Sequence, residues 1–278
     1  MLINNLNIKN FTKKKIKTSK KNKISQILKS LLFDKKQIIF SLSEDYKDSY
    51  TKNLLKKLKK FKFINLIGMG GSIIGARAIN SFIRSKLKIN FIDEYYHRLN
   101  KKNLNKNLNL IVSKSGNTLE TIVNSNNLSK KSKNILITEN KNNYLMKFAE
   151  ILKAEVIHHN NFIGGRYSVL SEVGMLPAEL MKLNPKKLRR LNNLASNQKF
   201  LNLVIENVSM MLGHIEKKNM NSIILNYDKD SNDLFLWYQQ LVAESLGKKG
   251  KGVLPIISLM PKDNHSLMQY YLDGPKNY

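Results

Sequence analysis

From Phe61 onward the chain repeats one unit: a short apolar run, a glycine- or hydroxyl-rich turn, then apolar residues at helical spacing. FKFINLIG ends in glycine, and GMGGS opens the helical pattern IIGARAINSFI. Strands are expected at Ile89–Ile92, Leu108–Ser113, Asn134–Thr138 and Glu155–Ile157, with helices near Leu119–Leu128 and Tyr144–Ile151 between them. Runs that are apolar without alternation suit strands buried on both faces. Strands alternating with helices build a parallel sheet with helices on either side. The expected fold class is therefore α/β, a three-layer αβα sandwich. After Asn161–Leu180, which carries GGR and Pro177, comes a helical run from about Lys187 to Lys218. The alternation then restarts, with a strand in SIILNY, a helix over Asp230–Leu246, a strand at Val253–Leu259 and a helix start at Asn264–Tyr271. This predicts two α/β domains, the second only partly built by Tyr278.

Three segments follow from that pattern. Residues 1–60 are lysine-rich, with Ile24, Ile27, Leu28, Leu31 and Leu32 marking one amphipathic helix and Leu54, Leu55 and Leu58 a second. They read as a helical segment wrapping a domain, with FTKKKIKTSKKNK expected to be partly disordered because like charges repel. Residues 61–185 form the first α/β domain, and 186–278 the connecting helices and the incomplete second one.

Several classes are disfavoured. No apolar stretch reaches the ~18–20 residues of a membrane span, and the N-terminus lacks an apolar block followed by a small-residue cleavage site. Zero cysteines exclude a disulfide scaffold, a thiolate metal site and a cysteine nucleophile. A cytoplasmic protein with no membrane partner is expected. The formal charge of +28 suggests a polyanion partner, but only six of the 48 basic residues are arginine. Arginine is the residue that makes bidentate base contacts, so no specific nucleic-acid partner is expected. A solvated lysine coat remains, which favours capture of anionic metabolites.

Five blocks carry possible chemistry. GMGGSIIG, with Gly71 and Ser72, lies at a strand-to-helix junction. There glycines permit close backbone approach to a ligand and first-turn amides can bind an anion; a tight, well-capped turn is the alternative. It matches neither a dinucleotide fingerprint nor a P-loop. SKSGNTLET again follows a strand, and its Ser113, Lys114, Ser115 and Thr118 surround a glycine turn suited to a phosphate, helped by the helix dipole. Loops at the carboxyl ends of parallel strands mark the usual ligand crevice. In FIGGRYSVLSEVGMLP, Arg166 is either a surface residue or, standing behind a Gly-Gly turn, one aimed inward at an anion. In WYQQLVAESLGKKGKG, Gln240 and Glu244 are four apart and share a helix face; Glu244 is a candidate general base or a salt-bridged residue. In KDNHSLMQYYLDG, His265 follows a strand at another helix start, where a structural and a catalytic histidine are both open readings. His97, His158, His159 and His214 read as surface or core residues.

Taken in order, these blocks resemble those of the phosphoglucose isomerase family, within the wider sugar-isomerase domain superfamily, from about Phe61 to Gly274. The resemblance implies an aldose–ketose isomerase interconverting glucose 6-phosphate and fructose 6-phosphate through an enediolate, in glycolysis and gluconeogenesis. It implies that Gly71 and Ser72 hold the sugar, and that Ser113, Lys114, Ser115 and Thr118 cradle the phosphate. Arg166 would stabilise the enediolate, and Glu244 would move the proton with Gln240 beside the substrate. His265 would assist ring opening from the neighbouring subunit of a homodimer. No metal or organic cofactor is implied. A non-catalytic sugar-phosphate module and an isomerase also accepting mannose 6-phosphate are the alternatives.

Three departures stand out. The phosphate loop reads SGNT where many members carry more threonine, and Glu172 stands where the family usually has a small residue. Nothing after His265 resembles the late-lysine signature of the family, and Lys276 lies too near to serve. The expectation is that residues 1–278 are a fragment of a longer chain.

Overall fold

The computed structural model describes residues 18–33, 38–83, 85–94, 107–126, 128, 131–189 and 193–278. The elements in chain order are α1 (Thr18–Phe33), α2 (Lys52–Leu58), β1 (Phe63–Gly68), α3 (Ile74–Ile83), β2 (Lys88–Ile92), β3 (Leu108–Val112), α4 (Leu119–Ser125), β4 (Lys133–Glu139), α5 (Tyr144–Leu152), β5 (Glu155–His159), α6 (Glu172–Leu180), α7 (Pro185–Arg189), α8 (Gln198–Glu216), β6 (Asn221–Asn226), α9 (Asn232–Leu246), β7 (Leu254–Leu259) and α10 (Met268–Asp273). Among the described residues no helix is long and apolar enough to cross a membrane.

Among the described residues every pair of strands is parallel. One sheet has the order β2-β1-β3-β4-β5, and the other pairs β6 with β7. This is the α/β architecture that the apolar runs imply. Ile64, Leu66, Leu108, Leu110, Ile135 and Ile137 face α2 and α6 on one side of the larger sheet. Ile67, Ile111 and Leu136 face α5 on the other. Both faces are dry, so the central strands need no polar alternation. One polar row interrupts the second face: Asn90 donates to Asn65 at 3.3 Å, Asn65 to Asn109 at 2.8 Å, and Asn109 to Asn134 at 2.8 Å. These residues are direct register partners across four strands, so each side-chain amide meets the next.

The helical run expected over Lys187–Lys218 is two helices, α7 and α8. Asn197 restarts the chain by capping α8, its side chain accepting from the Phe200 amide at 3.0 Å. Helix α1 lies against α8, tied by Lys20–Glu216 at 2.7 Å and Lys21–Glu206 at 3.2 Å. Of the lysine-rich stretch expected to be partly disordered, Phe11–Lys17 fall outside the described residues and Thr18–Lys23 open α1. His97 also lies outside them. Helix α9 packs on α3 and on β7, and Ser81 donates to Asp233 across the α3–α9 contact. The two sheets are thereby joined through this helix pair, and α9 also meets the 3₁₀ turns Gly70–Ser72 and Gly165–Leu170.

Candidate active site

The chain leaves β1 toward β2 on one side, while β3, β4 and β5 stack on the other, so the strand order reverses between β1 and β3. Crevices form where successive connections diverge in this way, outside the carboxyl ends of the strands. Two of the predicted loops sit there side by side. Gly68, at the end of β1, is the register partner of Val112 at the end of β3. After Gly68 the chain makes a short 3₁₀ turn, Gly70–Ser72, and enters α3.

After Val112 comes the hydroxyl loop. Ser113 Oγ and Thr118 Oγ1 share a hydrogen bond at 2.8 Å, and Ser115 Oγ accepts from the Asn117 amide at 3.3 Å. Gly116 sits at φ +67°, where a Cβ would lie 2.1 Å from the Asn143 amide, so only glycine fits this turn. The Lys114 ammonium donates to the Asn161 carbonyl at 2.7 Å, tying this loop to the segment after β5. The following helix, α4, has only seven residues, and Thr118 makes no side-chain cap to it. The dipole contribution expected from sequence is correspondingly short-ranged.

The second half of the site comes from further along the chain. A Cβ on Gly71 would lie 2.3–2.5 Å from backbone atoms of Gly165 and Arg166, so the turn after β1 touches the Gly-Gly-Arg loop backbone to backbone. Ser168 Oγ seals that junction, donating to Gly165 O at 2.6 Å and within 3.2 Å of Gly71 O. Trp237, on α9, donates from Nε1 to the Arg166 carbonyl at 2.9 Å. The Arg166 side chain then reaches α9 itself. Its Nε donates to Ser245 Oγ at 2.8 Å, its Nη1 donates to Glu244 Oε1 at 2.6 Å, and its guanidinium lies 4.9 Å from the Tyr167 ring centre. Tyr167 OH and Ser245 Oγ are 2.7 Å apart. Gln240, one turn before Glu244, donates from Nε2 to Glu244 Oε2 at 3.2 Å and rests against Gly70. Its carbonyl oxygen is buried without a hydrogen-bond partner among the described residues.

Gly71, Arg166, Gln240 and Glu244 are thus gathered at one place, beside the turn that holds Ser72 and the loop of Ser113, Lys114, Ser115 and Thr118. The Arg166 side chain is mostly covered (18% exposed), whereas Glu244 is half exposed (51%). A fixed cation therefore stands next to a carboxylate that solvent and a small molecule can reach. His265 is not brought into this cluster by any hydrogen bond. It is exposed and lies in the turn between the 3₁₀ segment Lys262–Asn264 and α10, ahead of the helix rather than in its first turn. Tyr167, Ser245 and Trp237 complete the arginine's setting and are residues that sequence reasoning does not single out. Two are immediate neighbours of residues it chose, and Trp237, Gln240 and Glu244 follow the three-four spacing of one helix face. Among the described residues, no three His, Asp or Glu side chains gather as metal ligands would.

A sequence profile of the phosphoglucose isomerase family matches residues 8–254, a span that includes Arg166 and Glu244 and stops short of His265. The glucose-6-phosphate isomerase of Methanocaldococcus jannaschii is 33% identical over 254 residues, covering 82% of this chain and 62% of the relative. That of Mycoplasma capricolum is 30% identical over 243 residues, covering 76% of this chain and 56% of the relative. The chain therefore spans less than two thirds of the length of these curated relatives. Among solved structures, a hypothetical protein of Thermus thermophilus superposes with a TM-score of 0.70 at 23% identity, covering 92% of this chain and 68% of that one. The glucosamine-6-phosphate deaminase of Thermotoga maritima superposes with a TM-score of 0.51 at 15% identity, covering 89% and 72%. At these identities the superpositions establish the fold alone.

Proposed function

The chain belongs to the phosphoglucose isomerase family, and from that premise we propose that its site serves aldose–ketose isomerisation of glucose 6-phosphate and fructose 6-phosphate. The observation that carries this is the 2.6 Å contact between Arg166 and Glu244, two residues from different elements meeting over the crevice. Glu244 takes the proton from the carbon beside the substrate carbonyl, and the electron pair moves onto the carbonyl oxygen to give a cis-enediolate. The same carboxyl returns the proton to the neighbouring carbon. A positioned base of this kind supplies about 10²–10⁴-fold. Arg166 cannot lose its proton at ordinary pH, so it offsets the oxyanion's charge without neutralising the base.

Ser113, Lys114, Ser115 and Thr118 hold the phosphate, which does not react and so provides remote binding energy that orients the sugar. Lys114 exchanges the Asn161 carbonyl for phosphate oxygen in doing so. Gly71 and Ser72 line the sugar, and the unpaired Gln240 carbonyl accepts from one of its hydroxyls. His265 acts in ring opening from the other subunit of a homodimer, in the cytoplasm, and no cofactor takes part. The test is turnover of fructose 6-phosphate to glucose 6-phosphate by the purified chain in a coupled assay. Clear turnover, reduced at least about 10²-fold by Glu244→Gln, supports the isomerase. Sugar-phosphate binding without turnover favours a non-catalytic module, and a folded chain with neither sinks the site assignment.

A further inference from the structure

Beneath the Arg166 loop lies a polar group that the isomerase chemistry does not use. The loop is the segment 160–171, between β5 and α6, and its two ends are drawn together by one histidine. His159, the last residue of β5, has Nδ1 2.5 Å from Glu172 Oε1 and Nε2 2.9 Å from the Ile163 carbonyl. Both side chains are 1% exposed. Glu172 begins α6, and it also accepts from the Asn160 amide at 3.1 Å and from the Tyr46 hydroxyl at 2.7 Å. Beside this group Arg189 binds the Leu170 carbonyl through Nη2 at 2.7 Å and Nε at 3.2 Å, and is itself gripped by Asp48.

Each link bears on where Arg166 sits. Asn160 and Ile163 are bound on the entry side of the loop, and Glu172 on its exit side, so the loop closes on His159 like a ring on its clasp. The closure fixes the loop's two ends against β5 and α6, leaving the 3₁₀ turn Gly165–Leu170 as the part that projects toward α9. Both ring nitrogens of His159 face acceptors. Both contacts are buried, so breaking either leaves a polar group without a partner in a dry site. An apolar residue at position 172 would fill the space without joining the loop ends.

We infer that His159 and Glu172 act as positioning residues for Arg166, setting the register of its loop against Glu244 and Ser245. The inference rests on the role given to Arg166 above, and its test separates the two. Trp237 is the only tryptophan in the chain, and its indole N–H is bonded to the Arg166 carbonyl. Its emission therefore reports the loop's position whether or not the protein turns over substrate.

Glu172→Ala and Glu172→Gln are to be compared with wild type in the full chain, after circular dichroism and a cooperative melt show that they fold. Glu172→Ala should shift the Trp237 emission and lower kcat about 10²-fold, the usual cost of a misplacement near 1 Å, with KM for fructose 6-phosphate little changed. Glu172→Gln keeps an acceptor for His159 Nδ1 and should restore most of both. A folded alanine variant with wild-type emission overturns the inference. If wild type proves inactive, the isomerase reading falls, while a shifted emission in the alanine variant still supports the clasp. Should neither variant fold, nitrogen NMR of histidine-labelled wild type decides. One ring with both nitrogens hydrogen-bonded and at least one exchange-protected N–H proton supports the clasp, and the absence of such a ring overturns it.

Discussion

Two carboxylates under the Arg166 loop are taken out of water together, and their partners treat them differently. Burial would raise Glu172, but the hydrogen bond and charge of His159, with the Tyr46 hydroxyl, outweigh it and hold the carboxyl below its ordinary range. Asp48 receives a bidentate grip from Arg189, yet burial outweighs it and leaves the carboxyl above its ordinary range. The signs follow from which state holds more protons. Below the ordinary carboxylate range the unfolded chain is protonated at position 172 before the folded one, so the Glu172 contribution is present above that range and lost as pH falls through the folded value. Asp48 is protonated first in the folded state, so its burden on stability is relieved as pH falls through its raised folded value toward the ordinary range. Urea unfolding at a series of acidic pH values should therefore show a shallower loss of stability in Glu172→Gln than in wild type. Asp48→Asn should remove the compensating relief and steepen it; equal slopes in all three would refute this assignment.

At the level of elements, the larger sheet was legible because its strands are short apolar runs with no alternation, and such runs have few other ways to be satisfied. The helices between them were legible for the same reason at a different period. The break between α7 and α8 was not, because lysine, leucine and asparagine continue a helical pattern across it and the restart depends on one Asn197 side chain. For the site, the glycine and hydroxyl loops and the Gln240–Glu244 pairing could be read locally. The Arg166–Glu244 contact spans 78 residues and depends on how α9 lies on α3, which no local pattern specifies. His159 left a fainter trace: in EVIHH it shares the inward parity of Ile157, while His158 points out. The asparagine row across β2, β1, β3 and β4 makes a prediction of its own. Asn109→Ala deletes the acceptor of the Asn65 amide inside a dry face, at a cost of about 1–3 kcal/mol, measurable as a lower urea midpoint with unchanged slope. An unaltered midpoint would mean that the row contributes nothing.

For the whole molecule, the candidate site is a joint property of two sheets: its glycine and hydroxyl loops belong to the five-stranded one, and its carboxylate to the helix that packs on the two-stranded one. Around it the chain carries a formal charge of +28. A field of that size draws in anions over a distance set by salt, with a Debye length near 30 Å at ~0.01 M and ~8 Å at 0.15 M. If sugar phosphates are the substrates, kcat/KM should fall several-fold over that range while kcat holds, and a neutral sugar ligand should show no such trend. A salt-independent kcat/KM would confine the lysines to keeping the protein in solution. The same large sheet also had to be assembled correctly from strands that look alike. Greasy β-strands slid by two residues still bury the same faces, so hydrophobicity alone cannot tell such a mispairing from the native one. The four asparagines add a polar match, because in the native alignment each amide finds its neighbour. They serve as a mark of registry written across the sheet: a strand that loses its neighbours there leaves unpaired amides inside a dry face.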